Sequence, residues 1–417
     1  MNETYEKEIS YMIAKPKYED ELKDPALIVS RLKNAKDFCV KNITSGEDET
    51  PVLEIEYKEN TYTVEIGIET YEIPDMFRVV HFFKDIDLEA IGKQDAGLMV
   101  AMEFSDDILD SYHLQLKIIC TIFPETLGIM DCSAEKILSG AWAALAAKSS
   151  IPPAPRYIFT TQAVYSGDDD VWLHTHGLNR CGLMELEIMN STKETSNNHY
   201  HVIEAVASRL VDEPDCIGAG KPMLAASFSN DQPLMVTWIP WKKAVETVRE
   251  GTLGGLADRD EEGGHNGYTG GLFVYRTPYD MMNGIFSHIS IYDKQLEDNP
   301  MFMLTGAETE RMKALARERV DYMKKALSKG VKAALVKVGL EVDEQYKSEG
   351  NGYEHIWFAL HSVDEDSFTA ELTQEPYMVS GMHTGSVGTY SYDKITDWMI
   401  FTEEDRITPD EVYLLEK

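Results

Sequence analysis

The chain has 417 residues with 39 Lys and Arg against 72 Asp and Glu, which gives a formal net charge of −33 at pH 7. A surface this acidic repels nucleic-acid phosphate and anionic lipid headgroups, so we expect neither a nucleic-acid partner nor a membrane partner. It favours a basic protein partner, divalent cations or solubility alone. The length exceeds the roughly 250–300 residues at which single cores stop growing, and therefore predicts two or three cores.

The cysteine pattern and the N-terminus both predict a cytoplasmic protein. The five cysteines are scattered, odd in number and without a CxxC pair, which is typical of free thiols in a reducing compartment. The opening residues MNETYEKEIS have neither a basic segment nor an apolar one, so we predict no signal peptide. No stretch approaches the roughly 18 apolar residues of a membrane span.

Residues 1–150 are predicted to form an N-terminal α+β domain. Alternating apolar residues around a polar turn indicate a β-hairpin over residues 51–72. The β-branched, apolar run Leu114–Phe123 predicts a buried strand. A helix is predicted from Ser133, as N-cap, to Ser149, because the prolines that follow cannot continue it. We place the domain boundary at Ile151–Arg156.

Residues 151–305 are predicted to form a central α+β domain. Two short strands with a glycine-containing connection are followed by a helix with apolar residues at 3,4 spacing. A second hairpin, a loop with eight glycines and two further strands complete this domain. In chain order these elements are Val171–His176, Leu183–Ile188, His199–Val211, Met223–Phe228 with Leu234–Ile239, Gly251–Gly271, Leu272–Arg276 and Ile285–Tyr292.

Residues 306–417 are predicted to form a helix followed by a small β-rich module. The helix spans Glu308–Lys329, with one apolar stripe. Five short strands in about 65 residues favour a strongly bent, barrel-like sheet. The predicted fold class is therefore α+β, with mostly antiparallel sheets and helices packed on one face.

The C-terminal strands carry a family resemblance. Glu354-His355-Ile356-Trp357-Phe358, Phe368-Thr369-Ala370-Glu371-Leu372, Glu375-Pro376-Tyr377, Gly385 and Ile395-Thr396-Asp397-Trp398-Met399 resemble an EHxW…FxGxL…P…G…DWM pattern. This pattern is that of the bacterial YegJ-like domain of unknown function, from which Ala370 departs, since glycine is frequent at that position. Residues 175–188 are similar to uncharacterised bacterial α+β domains. The resemblance implies a bacterial protein with a C-terminal YegJ-like domain, and it brings no activity.

The two strands Val171–His176 and Leu183–Ile188 carry the main chemical candidates. Because successive side chains of a strand point to opposite faces, two histidines and two glutamates fall on the same side of this hairpin. These residues are His174, His176, Glu185 and Glu187. Antiparallel pairing would place His174 near Glu185. Neutral imidazoles with carboxylates suit zinc or another divalent ion, and one glutamate could act as a base on a metal-bound water.

The alternative interpretation is that these side chains form cross-strand His–Glu pairs on a solvated sheet face. A third imidazole could come from His199 or His201, although these lie at a helix start, where the two side chains diverge. His265 in the glycine-rich loop could close over the site, or could be part of a flexible, solvated segment. Gly218-Ala219-Gly220-Lys221 resembles part of a P-loop, but Pro222 stands where Ser or Thr is needed. We therefore predict no nucleotide or other cofactor.

Aromatic residues are dense in the C-terminal module. Trp357, Tyr377 and Trp398 could line a groove that binds a peptide or ligand. The alternative is that they form the core, because a module this small must use large side chains to bury enough surface.

Two functions follow as hypotheses. The first is a non-enzymatic, cytosolic binding protein, in a specific form one that neutralises a basic partner as immunity proteins do; it rests on the acidity and on the lack of a catalytic motif. The second is a metal-dependent hydrolase that uses the His–Glu face. The sequence gives no substrate, no identity for the partner and no oligomeric state.

Overall fold

The computed structural model describes residues 7–45, 50–78, 83–167, 169–230, 232–259, 265, 267–298, 300–331, 333–347 and 352–416. The chain divides into two compact units. The first unit contains residues 1–148 and 152–305, and the second contains 149–151 and 306–417. No helix within the described ranges is long and apolar enough to cross a membrane.

An antiparallel sheet forms the N-terminal part of the first unit. Its strands are β1 (Ser10–Pro16), β2 (Cys39–Ser45), β3 (Pro51–Tyr57), β4 (Asn60–Thr70), β5 (Ala96–Met102), β6 (Thr126–Asp131) and β7 (Lys136–Ser139). They lie in the order β2-β3-β4-β5-β1-β6-β7. The helices are α1 (Pro25–Lys33), α2 (Leu88–Gly92), α3 (Ile108–Ile122) and α4 (Gly140–Lys148). Strand β3 shows the alternation expected of a strand with one buried face, since Leu53 and Ile55 are buried while Glu54 and Glu56 are exposed.

A second sheet forms the rest of the first unit. Its strands are β8 (Thr160–Ser166), β9 (Asp170–His176), β10 (Glu185–Thr192), β11 (Met223–Ser227), β12 (Pro233–Pro240), β13 (Thr269–Tyr275) and β14 (Met301–Phe302), in the order β14-β11-β12-β13-β10-β9-β8. Strands β10 and β13 are parallel, and the other described pairs are antiparallel. The helices are α5 (Ser196–Asp212), α6 (Trp241–Ala244), α7 (Pro278–Asn283) and α8 (Asp293–Leu296). Helix α5 packs on β8, β9 and β10.

The second unit is a sheet with two helices. Helices α9 (Gly306–Glu318) and α10 (Val320–Ser328) precede strands β15 (Ala333–Glu341), β16 (Tyr353–Val363), β17 (Ser367–Leu372), β18 (Val387–Ser391), β19 (Ile395–Phe401) and β20 (Arg406–Ile407). The strands are antiparallel in the order β18-β17-β16-β15-β19-β20. Because β18 and β20 are not paired with each other, this sheet is open and not the barrel that strand density suggested.

The predicted fold class, α+β with mostly antiparallel sheets, is confirmed. The hairpins β3–β4 and β11–β12 and the helix α5 are also confirmed, because alternation and 3,4 spacing are unambiguous there. The predicted segments 1–150 and 151–305 fall within one compact unit, and Gly306 begins the main part of the other.

Three element predictions are wrong. The run Leu114–Phe123 belongs to helix α3, because a fully buried helix is as uniformly apolar as a buried strand. The predicted helix from Ser133 contains strand β7 before α4 begins at Gly140. The predicted strand Ile285–Tyr292 makes one isolated bridge, Val274 with Ser287, and then a 3-10 turn.

A buried ion pair joins the two sheets of the first unit. Arg180 lies in the β9–β10 connection, and its guanidinium donates to both carboxylate oxygens of Asp131, at 2.7 and 2.9 Å. Neither side chain is exposed to solvent. The Arg180 guanidinium also contacts the faces of Phe104 and Tyr112. The pair therefore fixes the end of β6 against the connection that follows β9.

We expect Asp131→Asn to lower the free energy of unfolding by about 3–5 kcal/mol, because it leaves the buried Arg180 guanidinium without a compensating charge. The matched control is Asp20→Asn, which breaks an exposed pair with Lys23 and should cost less than about 1 kcal/mol. Urea unfolding of both variants measures the difference. Equal effects would contradict the role assigned to the buried pair.

Candidate metal centre

The β9–β10 hairpin places two imidazoles on one face of the second sheet. In the observed register, His174 lies opposite Glu187 and Leu173 lies opposite Ile188. Alternation along β9 then puts Trp172, His174 and His176 on the same face. His174 is 2% exposed and Glu187 is fully buried. This face is therefore covered and not the solvated face of the alternative interpretation.

A third imidazole, that of His265, completes the cluster from the glycine-rich loop. Its ring centroid lies 4.4 Å from that of His174 and 5.3 Å from that of His176. Residues 260–264 and 266 of the loop lie outside the described residues. The ring of His265 itself therefore closes over the site, as one of the two alternatives predicted.

Arg259 positions His265. Its guanidinium donates to the carbonyl oxygen of His265 at 2.6 Å and forms an ion pair of 2.5 Å with Glu187. The same guanidinium lies over the rings of Trp172 and Trp241. Glu187 thus acts on the histidine cluster indirectly, because it binds Arg259, and Arg259 binds the backbone carbonyl of His265.

The three rings present nitrogen atoms at a spacing close to that of a metal centre. One nitrogen from each of His174, His176 and His265 lies within 4.8 Å of the other two. Nitrogens bound to one tetrahedral zinc ion are about 3.3 Å apart, given Zn–N distances near 2.0–2.1 Å. Inward movement of about 1–1.5 Å would therefore let all three bind one ion. The buried Nδ1 of His174 has no hydrogen-bond partner among the described residues.

All three imidazoles are held in the neutral form that a metal requires. Burial lowers the pKa of His174 well below its usual range, and the nearby His176, His265 and Arg259 lower it further. Burial lowers the pKa of His176 to about 4, and it lowers the pKa of His265 to about 4 with further contributions from His176 and Arg259. At neutral pH each ring therefore carries one N–H and keeps one unprotonated nitrogen that can bind a metal ion.

A carboxylate that the sequence analysis missed lies beside the cluster. The Oε2 atom of Glu135 is 3.6 Å from Nε2 of His176 and accepts a hydrogen bond of 2.8 Å from Gln162. Glu135 has a left-handed backbone conformation, with φ of 51°, which is costly for a residue with a side chain. Burial raises the pKa of its carboxyl, while Gln162 and His265 oppose that rise. No sequence signal identified it, because it lies some forty residues before the hairpin.

The structure brings together only part of the predicted metal set His174, His176, Glu185 and Glu187, because both glutamates bind other groups. The cluster found among the described residues contains the two histidines and neither glutamate. Glu185 accepts hydrogen bonds from Gly177 N, Asn179 N and Thr175 Oγ1, and so ties down the β9–β10 connection. The register places Glu187, not Glu185, opposite His174, because β10 begins at Glu185, two residues later than the sequence suggested.

A second histidine arrangement does not reach solvent. His199 lies between Ser191 Oγ and Asp293 Oδ1, at 2.8 Å from each. Although this order of groups resembles a nucleophile, base and orienting acid, Ser191 and His199 are fully buried. No substrate could contact the hydroxyl, so the arrangement fixes α5 against β10. His199 is therefore not the third ligand.

The aromatic residues predicted as a C-terminal binding site are dispersed. Trp398 is fully buried and donates its indole N–H to Ala316 O at 2.7 Å, so the prediction that it contacts a ligand is wrong. It belongs to the core of the second unit because a small module needs large side chains there. Trp357 is half-buried under Lys337, and Tyr377 is 83% exposed.

Three family models match the chain. Residues 10–153 match "Protein of unknown function (DUF4026) N-terminal", residues 161–273 match "Protein of unknown function (DUF4026) C-terminal", and residues 281–408 match "Uncharacterized protein conserved in bacteria (DUF2314)". The three histidines lie in the second match, and Glu135 lies in the first. The chain thus matches domain families of unknown function along most of its length, as the sequence analysis predicted; the YegJ-like designation stays a prediction. No curated protein and no solved structure matches the chain.

The low pKa of His176 predicts a specific acid sensitivity of the metal-free protein. Its pKa is about 4 in the folded state and about 6.5 in the unfolded chain, so the unfolded chain takes up the proton first as the pH falls. Folding stability is therefore lost from about pH 6.5 down to about pH 4, by up to about 3 kcal/mol. In EDTA, His176→Gln should lose less stability over this range than the native protein.

Urea unfolding at several pH values measures this difference. His201→Gln is the matched control, since His201 is exposed and lies in the same unit. The assignment fails if His176→Gln and His201→Gln follow the native pH dependence equally.

Proposed function

We propose that the protein binds one divalent transition-metal ion, zinc in the first place, on His174, His176 and His265. The observation that carries the proposal is the convergence of three neutral imidazoles with their nitrogens within 4.8 Å. Burial of the His174 ring, which is 2% exposed, supports it, because a neutral imidazole can bind a metal ion without first losing a proton.

The donor set favours zinc over harder cations. Imidazole nitrogen suits zinc, copper, nickel and iron, whereas calcium and magnesium prefer oxygen. Three protein ligands with a fourth position left for water are typical of catalytic zinc sites, whereas structural sites use four protein ligands. The side chain of His176 is 20% exposed, so solvent can reach the cluster.

We further propose that the centre supports hydrolysis, with Glu135 as the general base. A zinc ion lowers the pKa of a bound water to about 7. The Glu135 carboxylate lies beside His176, and its raised pKa brings it closer to the working range of a base at neutral pH. Gln162 holds one carboxylate oxygen in place by its hydrogen bond. The bond that is cleaved belongs to an unidentified substrate.

The non-enzymatic alternative, with a basic protein partner, rests on the net charge of −33 and stays a prediction. The cytoplasmic location is likewise a proposal; it is supported by five cysteines that are all free thiols.

We expect the EDTA-treated protein to bind one equivalent of zinc, and His265→Ala to weaken binding by at least about 100-fold, because it removes a direct ligand. Isothermal titration with Zn²⁺ measures both values. His265 is the informative position, since it lies in a loop and its replacement leaves the sheet intact. The native protein should also unfold at a higher temperature with zinc than with EDTA.

His201→Ala, which removes an exposed histidine of the same unit, should bind zinc like the native protein. The metal proposal is overturned if the native protein takes up no stoichiometric zinc, or if His265→Ala binds as tightly as His201→Ala. In either case the three rings would be packing groups around Trp172.

We expect Glu135→Gln to lower the zinc-dependent kcat by about 10²- to 10⁴-fold, because the amide cannot accept the proton. The probes are 4-nitrophenyl acetate and bis(4-nitrophenyl) phosphate, with the zinc content measured in parallel and expected to be unchanged. Glu194→Gln, at an exposed carboxylate, is the control. Equal rates for Glu135→Gln and Glu194→Gln, or equal rates with and without zinc, would contradict the hydrolytic proposal but not the metal site.

A further inference from the structure

A cleft of about 400 Å³ opens beside the second sheet, separate from the histidine cluster. Its lining residues are Asn190, Thr247, Val248, Arg249, Phe273, Phe286 and His288. Asn190 lies three residues beyond Glu187 on β10, which places the cleft on the order of 10 Å along the strand from the histidines. Its volume lies within the range of small-molecule sites, about 300–1,000 Å³.

One side of the cleft is an aromatic wall. The rings of Phe273 and Phe286 are 4.9 Å apart at an interplanar angle of 59°. Phe273 is 3% exposed and belongs to a core cluster that includes Trp172 and Met189. The wall therefore rests on rigid core packing and offers a preformed apolar surface to a planar ligand.

Two polar residues of the cleft have unused hydrogen-bonding groups. The Arg249 side chain is exposed and forms no ion pair or hydrogen bond with any described residue, and the same holds for the Asn190 amide. By contrast, the Thr247 hydroxyl donates to Ala244 O, and His288 is bonded through both ring nitrogens, to Met189 O and to Ser290. The cleft thus has a cation and an amide available for a ligand.

Arg249 has no acidic partner among the described residues, although the chain is strongly acidic. The acidic groups outnumber the basic ones by 33, and several of the other arginines have acidic partners. These pairs include Arg31 with Glu21, Arg180 with Asp131, Arg209 with Glu213, Arg259 with Glu187 and Arg311 with Glu308. An arginine without such a partner beside an apolar cleft is suited to an anionic ligand group, which its planar fork can bind with two hydrogen bonds.

The backbone of Asn190 adds an independent observation. Its φ is 61°, and the pairing of β10 with β9 shifts register between Ile188 and Ser191. Such bulges are over-represented next to binding sites, where they redirect a side chain out of the regular alternation. Here the irregularity exposes the Asn190 side chain between two fully or nearly buried neighbours, Met189 and Ser191.

We propose that this cleft binds a small molecule with a planar apolar body and a single carboxylate. The body packs on Phe273 and Phe286, and the carboxylate accepts hydrogen bonds from the Arg249 guanidinium and the Asn190 amide. The inference does not depend on the metal proposal, because none of the lining residues belongs to the histidine cluster.

The test compares the affinities of the whole chain for 3-phenylpropionate and for its neutral analogue 3-phenylpropionamide. Ligand-observed NMR titration measures both dissociation constants. The acid should bind at least about 10-fold more tightly than the amide, because only the acid forms charge-assisted bonds. Arg249→Gln should reduce binding of the acid to the level of the amide and leave the amide unchanged. Phe286→Ala should weaken both ligands.

Arg78→Gln is the matched control, since it removes an equal charge from an exposed arginine outside the cleft. His174→Ala and His265→Ala serve as a second control, because a carboxylate could also bind a metal ion. The proposal is overturned if the native protein binds neither ligand or binds both equally, or if Arg249→Gln has no more effect than Arg78→Gln. It is also overturned if the histidine variants, and not Arg249→Gln, abolish binding of the acid.

Discussion

The buried ion pair between Glu187 and Arg259 is the interaction on which the candidate metal centre depends. Both side chains are almost wholly removed from water, which costs several kcal/mol for each ion. The mutual attraction of the two charges offsets this cost, together with three hydrogen bonds. The Trp172 indole N–H donates to Glu187, and Arg259 donates to two backbone carbonyls. One of these carbonyls belongs to His265. The pair therefore holds His265, which lies in a glycine-rich loop, at a fixed distance from His174 and His176 in the sheet.

The remaining groups of the centre come from two different stretches of sequence. The histidines of β9 are set by strand alternation and need nothing beyond the pairing of β9 with β8 and β10. Glu135 comes from the N-terminal sheet and reaches His176 because the Asp131–Arg180 pair fixes the end of β6 against the β9–β10 connection. The candidate metal ligands and the Glu135 carboxylate are thus brought together by two buried ion pairs, Glu187–Arg259 and Asp131–Arg180.

Much of the fold was accessible from periodicity. Hairpins such as β3–β4 alternate because one face is buried, and helix α5 repeats its apolar residues every three to four positions for the same reason. The pattern failed where an element is buried on all sides. Helix α3 contains buried residues around its whole circumference, His113, Gln115 and Lys117 among them, so it has no polar face from which a helical period could be recognised. The predicted helix Glu308–Lys329 is divided at Arg319, whose guanidinium donates to the carbonyl oxygen of Pro409.

The sequence by itself determined that His174 and His176 share one face of a strand, because side-chain alternation is a local property of the extended backbone. It also determined the net negative charge, the α+β class and the presence of glutamates in the strand that follows these histidines. The tertiary structure decided that this face is buried, that His265 supplies the third imidazole of the cluster and that the Glu135 carboxylate lies beside His176. These outcomes depend on contacts between residues about forty to ninety positions apart, such as the buried Glu187–Arg259 pair and the His174–His265 ring contact, and no local pattern specifies such contacts.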